Sequence, residues 1–293
     1  MNRREFIKAC SLMAAAGLLF GCRKIPFVGE TPSAPSLKRF QDEVKLALSK
    51  AKESLNLVRV NAPGSLKVAG ASHVNRFGMA IDLDACDGCG KCILACNLEN
   101  NVPLVTDEEA AAGRFMHWIE PHGAAPFMCA HCEDAPCEKV CPTGAANHTP
   151  DGVSAMMYKR CAGSRFCGAN CPMHARKFNF NDAQKMGLAH QFNSQVPLRE
   201  KGVMEKCSLC LHRLQDDRAR FKTEAALLPN GGEWLGRGVK TACAEACPKG
   251  AIVFGNWLDE KSPLVEATRN RQLYAPKELA AFGPSVVYMM GKR

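Results

Sequence analysis

Tyrosine and tryptophan number only three each in a chain of 293 residues, and beyond the amino terminus no run of 18 or more uninterrupted apolar residues occurs. The second absence excludes an ordinary multispan membrane protein, in which each crossing helix needs about 20 apolar residues. No block of one charge sign is present either. The 38 Lys and Arg are interspersed among 29 Asp and Glu, so a formal net charge of +9 is a weak pointer to any anionic partner, and no nucleic acid is expected. Catalytic signatures are missing as well. No Gly-x-Ser-x-Gly elbow marks a nucleophilic serine. The run Gly231-Gly232-Glu233-Trp234-Leu235-Gly236 lacks the lysine of a phosphate-binding loop. His73, His117, His122, His148, His174 and His190 show no paired metal spacing. A balance of 46% hydrophobic and 23% charged residues leaves an ordinary globular chain and excludes disordered and fibrous classes.

Cysteine is the abundant residue: 17 in all, 15 of them between Cys86 and Cys247. With 24 Gly and 17 Pro concentrated around them, metal ligation rather than a large apolar core is expected to organise the middle of the chain. The first group is Cys86, Cys89, Cys92 and Cys96, the C-x2-C-x2-C-x3-C run of bacterial ferredoxins. Three thiolates within seven residues wrap one cubane only if the backbone turns sharply, which Gly88 and Gly90 allow. The fourth cysteine, carried away on the following helix, faces a different cluster. The second group is Cys129, Cys132, Cys137 and Cys141, with Pro142. The last is Cys207 and Cys210, a 32-residue insertion, then Cys243 and Cys247 with Pro248.

The third group departs from this pattern. Cys161, Cys167 and Cys171-Pro172 are present, but Ser164 stands where a second cysteine belongs. A hydroxyl is a hard, weakly acidic ligand and a poor substitute for thiolate at iron, so one corner of that cluster is expected to be missing. Four, four, three and four ligands account for all 15 cysteines, the number that three [4Fe–4S] clusters and one [3Fe–4S] cluster require. Zinc favours separated C-x2-C pairs over repeated triplets followed by x3-C-P. Disulfides leave an odd cysteine over, and a content of about 6% is below that of a disulfide scaffold. His131 and His212 lie beside ligands and are expected to set hydrogen bonds and redox potential rather than to bind iron.

Residues 1–22 have the charged, apolar and small layout of an export signal. Arg3-Arg4 followed by Glu5-Phe6-Ile7-Lys8 resembles the twin-arginine motif, which directs folded, cofactor-loaded proteins across the membrane; a Sec signal or an amino-terminal anchor is the alternative. Leu19-Phe20-Gly21-Cys22 resembles a lipobox with Cys22 as the lipidated residue, although Phe20 fits poorly, and ordinary cleavage or an uncleaved anchor is the rival reading. Thr31-Pro32-Ser33-Ala34-Pro35-Ser36 has linker composition. From Leu37 to Val58 apolar residues recur every three or four positions behind Ser36 as N-cap, which predicts one amphipathic helix docked on the cluster domain or on a partner. Short strands are expected over Gly78–Leu83, Phe115–Ile119, Val153–Tyr158, Lys177–Phe180 and Ala251–Phe254, with helical turns after Cys92, Cys137, Cys167 and Cys243.

These cysteine groups resemble the four-cluster iron–sulfur subunits of bacterial membrane-bound respiratory complexes, the family of the dimethyl sulfoxide, polysulfide and nitrate reductase beta subunits. The likeness spans about residues 78 to 290. The stretch Arg160–Pro172 with Arg176-Lys177-Phe178-Asn179-Phe180, the block Val203–Cys210, Lys240–Cys243, Ala251–Asn256 and Pro284–Tyr288 are most similar to the branch found in alternative complex III and the menaquinone reductase (Qrc) complex. That branch also lacks the cysteine at the Ser164 position, usually having threonine. Met173-His174-Ala175 replaces its more usual Tyr-Lys-Val.

The resemblance implies an α+β fold of two pseudo-symmetric ferredoxin-like halves, loop-rich, with small hairpins and short helices around the clusters. Together with the residue reading, it divides the chain into a signal over 1–22, a linker and amphipathic helix over 23–77, a four-cluster domain over 78–262 and a docking tail over 263–293. It pairs Cys86, Cys89 and Cys92 with Cys247; Cys207, Cys210 and Cys243 with Cys96; Cys129, Cys132 and Cys137 with Cys171; and Cys161 and Cys167 with Cys141. The implied function is non-catalytic electron transfer on the periplasmic side of the cytoplasmic membrane. The implied partners are a multispan quinone-interacting membrane subunit and a molybdopterin-type or multihaem cytochrome c subunit, with the third group's cluster nearest the quinone. A freestanding exported polyferredoxin, the small subunit of an enzyme with its own substrate pocket, and the beta subunit of a molybdopterin reductase with four [4Fe–4S] clusters are the rivals.

Replacing Arg3 and Arg4 together by lysine is expected to hold loaded precursor in the cytoplasm, read by fractionation and immunoblotting. Undiminished export in a strain lacking the twin-arginine translocase would refute that route. Cys22→Ser is expected to release or mislocalise the mature protein; unchanged membrane attachment would refute lipidation alone, since partner subunits can also hold the chain.

Overall fold

The computed structural model describes residues 34–63, 75–180, 191–225 and 233–292. The export signal, Arg3, Arg4, Cys22, His73 and His190 lie outside the described residues. In chain order the elements are α1 (Ala34–Ser49), β1 (Leu57–Val60), β2 (Phe77–Asp82), α2 (Lys91–Glu99), α3 (Asp107–Ala111), β3 (Ile119–His122) and β4 (Ala125–Met128). They continue with α4 (Pro136–Lys139), β5 (Ala146–His148), β6 (Ser154–Met156), α5 (Phe166–Ala169), β7 (Lys177–Phe178) and β8 (Met204–Glu205). The last are α6 (Leu211–Ala225), α7 (Ala242–Ala246), β9 (Ile252–Asn256), α8 (Pro263–Thr268), β10 (Arg271–Pro276) and β11 (Val286–Lys292). The architecture is α+β, with small sheets and short helices joined by long loops.

The largest sheet has five strands in the order β1-β10-β11-β2-β9, antiparallel except for the parallel pair β11–β2. Alternation of side chains gives it two faces. Phe77, Met79, Ile81, Phe254, Val286 and Tyr288 share one apolar cluster with Cys96, Cys129, Cys207 and Cys243, so this face is the floor under the cysteine loops. Ala80, Val287, Met289 and Leu273 point the other way and pack with Trp257 and with Leu264 of α8. Strand β2 is therefore covered on both sides and reads as a nearly continuous apolar run. Its Gly78 leaves no room for a Cβ, which would collide with the Ser285 carbonyl and the Trp257 indole.

Two helix pairs carry the cysteines: α2 packs on α7, and α4 on α5. The hairpins β3–β4 and β5–β6 and the pair β7–β8 flank them. The strands expected from sequence at residues 78–83, 153–158, 177–180 and 251–254 are present with shifted ends. The one expected at Phe115–Ile119 instead begins at Ile119. Phe115 stacks on His117, and His117 is tied to Asn97 and Glu43, so this stretch binds helices rather than a neighbouring strand.

The helix expected over Leu37–Val58 is shorter than its periodicity suggests. It runs Ala34–Ser49, so Ser36 lies inside it and not at its cap. After Lys50, whose Nζ donates to the Ala110 and Ala111 carbonyls, the backbone bonds Pro121 and Gly123, and the valine-containing Leu57–Val60 segment pairs with β10. Helix α1 docks on the cysteine-bearing part of the chain: Phe40, Val44 and Ala47 are buried, and Val44 and Leu48 lie against Gly90. Its buried Glu43 has its carboxyl pushed up to about 7 by burial and accepts from the Val105 N–H.

Residues 263–293, expected as a docking tail, supply α8, β10 and β11, the last two as strands of the main sheet. Tyr288 in β11 is 1% exposed and donates its hydroxyl to the Pro126 carbonyl at 3.0 Å. Tyr288→Phe is expected to cost about 1 kcal/mol and Tyr288→Ala about 3–5 kcal/mol, read by urea unfolding of the purified protein. Removal of residues 286–293 is expected to abolish soluble, iron-loaded protein; a truncated chain that stays folded and loaded would restore the docking-tail reading.

Candidate iron–sulfur sites

The four cysteine loops share one backbone device. The residue just before the second ligand position is left-handed in each: Gly88 (φ 69°), His131 (φ 47°), Gly163 (φ 67°) and Leu209 (φ 53°). This turn folds successive sulfurs inward. Glycine adopts it freely, whereas His131 and Leu209 hold it at about 1–3 kcal/mol of strain. In the first and third groups a second left-handed residue, Gly90 or Arg165, caps the helix that carries the next cysteine. Arg165 is held there by lying 4.8 Å from the ring centre of Phe178.

Folding places the thiols in four sets. At site I Cys86, Cys89, Cys92 and Cys247 line one cavity, and burial, with Cys86 and Cys89 beside it, pushes the Cys92 thiol up to about 12. At site II Cys207, Cys210, Cys243 and Cys96 are all buried. Burial first, then the other three thiols, drives Cys96 well above the usual thiol range, and burial pushes Cys243 up to about 12 and Cys210 to about 11. Site III gathers Cys129, Cys132, Cys137 and Cys171, with Cys132 raised by burial and by the other three. Site IV holds three thiols, those of Cys161, Cys167 and Cys141. Ser164 stands exposed on the site IV loop.

Neighbouring sets also feel one another, in the order I, II, III, IV. Cys92 of site I acts on Cys96 and Cys243 of site II. Cys129 of site III acts on Cys207 of site II. Arg176 reaches Cys137 and Cys129 of site III and Cys167 of site IV.

The chemistry of these donor sets fits iron–sulfur clusters. Fifteen cysteines are free thiols, and none of the described cysteines forms a disulfide. Among the described residues no three His, Cys, Asp or Glu side chains converge as they would on a single ion. Backbone N–H groups point at sulfur: Leu209 at Cys207 (3.4 Å), Ala242 at Cys210 (3.5 Å), Ala251 at Cys247 (3.3 Å), Ala146 at Cys141 (3.4 Å) and Met204 at Cys161 (3.5 Å). Such donors favour the charged thiolate over the thiol. At Cys141 burial raises the pKa, but the Ala146 N–H and the Thr143 hydroxyl outweigh it and leave the thiol below its ordinary value.

The two histidines beside ligands have different surroundings. His212 Nε2 pairs with Glu99 Oε1 at 2.8 Å, and Arg213 binds the same carboxylate, so His212 is engaged with a carboxylate and not with sulfur. Burial raises the Glu99 carboxyl, but its bonds to His212 and Arg213 prevail and hold it at about 2. His131 is fully buried; burial first, then the charge of Lys206, keeps its imidazole neutral. Sequence spacing gave no sign of the cations that do approach the thiols. Arg176 donates to Cys137 Sγ, and Lys206, 1% exposed, bonds the carbonyls of Ser154 and Cys207. Their signal was a basic residue five positions after Cys171 and one immediately before Cys207.

Comparison with known proteins agrees with this chemistry. The 4Fe-4S dicluster domain family matches residues 77–145. The menaquinone reductase iron-sulfur cluster-binding subunit of Nitratidesulfovibrio vulgaris is 32% identical over 231 residues, covering 73% of this chain and 88% of that protein. The Hdr-like menaquinol oxidoreductase iron-sulfur subunit 1 of Archaeoglobus fulgidus is 33% identical over 240 residues, covering 73% and 82%. The B subunit of the polysulfide reductase of Wolinella succinogenes is 27% identical over 228 residues, covering 74% and 96%.

Proposed function

The chain belongs to the family of iron–sulfur electron-transfer subunits that includes those of menaquinone, dimethyl sulfoxide and polysulfide reductases, and on that premise we propose a more specific role. It carries [4Fe–4S] clusters at sites I, II and III and a [3Fe–4S] cluster at site IV. It passes single electrons between a molybdopterin-type or multihaem cytochrome c subunit and a multispan quinone-interacting membrane subunit. Arg3-Arg4 and Cys22 suit export by the twin-arginine route to the periplasmic side of the membrane, with a lipid anchor.

The observation that carries this reading is the linear order of the four thiol sets: charges of I and II and of II and III act on one another, and Cys137 of III packs in one cluster with Cys167 of IV around Arg176. When bound, the clusters supply one-electron carriers. This chain's residues hold them, bury them and aim N–H donors at their thiolates. At site I the ligands are Cys86, Cys89, Cys92 and Cys247; at site II, Cys207, Cys210, Cys243 and Cys96. At site III they are Cys129, Cys132, Cys137 and Cys171; at site IV, Cys161, Cys167 and Cys141, with Ser164 at the fourth position. A cluster with one thiolate fewer carries a different net charge, and potential follows charge and exposure. Docking at that end is favoured by Phe166 (58% exposed), next to Cys167 in the chain, and Phe180 (53%), which lies by Phe178 and Arg165 of the same region.

Anaerobic purification from detergent-solubilised membranes, through a tag on this chain, is expected to yield about 15 irons per chain together with a multispan subunit. Recovery of a soluble monomer with no membrane partner would favour the freestanding polyferredoxin. In the same preparation Ser164→Cys is expected to add about one iron and to remove the electron paramagnetic resonance signal of the oxidised trinuclear cluster. Wild-type protein without that signal would favour four cubanes.

A further inference from the structure

Arg176 donates a hydrogen bond to a thiol of site III, and its charge bears on a thiol of site IV. It follows Cys171 by five residues, just before β7, and is 5% exposed. Its Nη2 donates to Cys137 Sγ of site III at 3.0 Å, and its Nη1 to Met156 Sδ at 3.0 Å. A hydrogen bond and the charge of the same guanidinium also act on Cys167 of site IV. The groups that favour its charged form are the thiolates of Cys137, Cys129 and Cys167, which outweigh the opposing effect of burial. The other buried cation of this region, Lys206, spends its hydrogen bonds on two carbonyls, and Arg199 spends its own on Glu205 and on backbone carbonyls.

We propose that Arg176 is a shared positioning residue that raises the potentials of the site III and site IV clusters together, making both more electron-accepting than they would be without its charge. The inference rests on the ligand sets assigned above. A fixed positive charge stabilises whichever neighbour carries the extra electron, and in a dry interior the effect is large. When one electron moves across the junction, one cluster is oxidised by one equivalent and the other reduced by one; no bond forms or breaks and no proton moves. Arg176 remains a cation throughout, because a guanidinium does not deprotonate in proteins. Standing between donor and acceptor, it raises both midpoints together, and the difference between them is left to the ligation of each cluster.

The test is a mediated redox titration of the membrane-purified complex, poised with dithionite and ferricyanide and followed by electron paramagnetic resonance. Wild type is compared with Arg176→Met, Arg176→Gln and Arg176→Lys. Signals are assigned to site III by their loss in Cys132→Ser and to site IV by their loss in Cys161→Ser, and iron content verifies the ligand sets independently of any midpoint. At fixed ambient potential, the neutral variants are expected to shift the oxidised-to-reduced ratio at both sites III and IV about tenfold toward oxidised, equivalent to about 59 mV for a one-electron couple. Sites I and II are expected to stay in place, and Arg176→Lys to restore most of the shift. Unmoved midpoints in a fully loaded neutral variant would overturn the proposal. So would a shift at one site alone, or an Arg176→Lys midpoint as low as that of Arg176→Met. Loss of the clusters from both neutral variants would also overturn it, in favour of a role confined to assembly.

Discussion

Like charges crowded into a dry interior are the constraint to which the rest of this protein answers. Three or four thiols share each site, and burial together with their neighbours drives several of them far above the ordinary thiol range. Without a compensating cation such sets stay protonated; with iron they become the anionic shell of a cluster. The four left-handed loop residues, the N–H groups aimed at sulfur and the buried arginine all serve that compensation. Two of the loops place His131 and Leu209 where glycine would be easier. Metal loading and folding are therefore one thermodynamic event rather than two.

The sheet gives the sites a common floor. Its cysteine-facing side carries Phe77, Met79, Ile81, Phe254 and Tyr288, large side chains that seat the loops in an apolar layer with few voids. Sites I and II lie around α2 and α7, and sites III and IV around α4 and α5, so the pseudo-symmetry of the cysteine groups is carried by two helix pairs. Small domains short of apolar core are often stapled by metals. Here a chain with only three tryptophans and three tyrosines uses the sheet for rigidity and the ligand loops for closure.

Much of this was legible in the sequence, and the rest was hidden for physical reasons. Cysteine spacing showed the loops because ligand geometry is local, and Gly88 and Gly90 showed the turns that need left-handed backbone. Short strands beside the cysteines were visible from β-branched and apolar runs. Helical periodicity over Leu37–Val58 was misleading past Ser49, because a partner strand about 200 residues away in sequence, β10, captures Leu57–Val60. The role of β11 was invisible for the same reason: its neighbours β2 and β10 are set by tertiary pairing, not by local pattern. Arg176 and Lys206 stood in stretches that carry the family resemblance, but nothing in a spacing rule tells whether a long basic side chain turns inward. His212 is the opposite case, its closeness to Cys210 in sequence concealing a partner in Glu99 on another helix.

The parallel pairing of β11 with β2 sets residues 286–292 between strands made earlier, one of them much earlier. At a synthesis rate of about 5–20 residues per second, roughly 10 to 40 s separate the appearance of β2 from that of β11. During that interval the floor of the cysteine loops lacks its central strand, and β2 has neither sheet neighbour until β9 is made. Closure comes only after every ligand loop has left the ribosome. A polypeptide cut short before β11 would present its cysteines above a sheet that lacks its central strand.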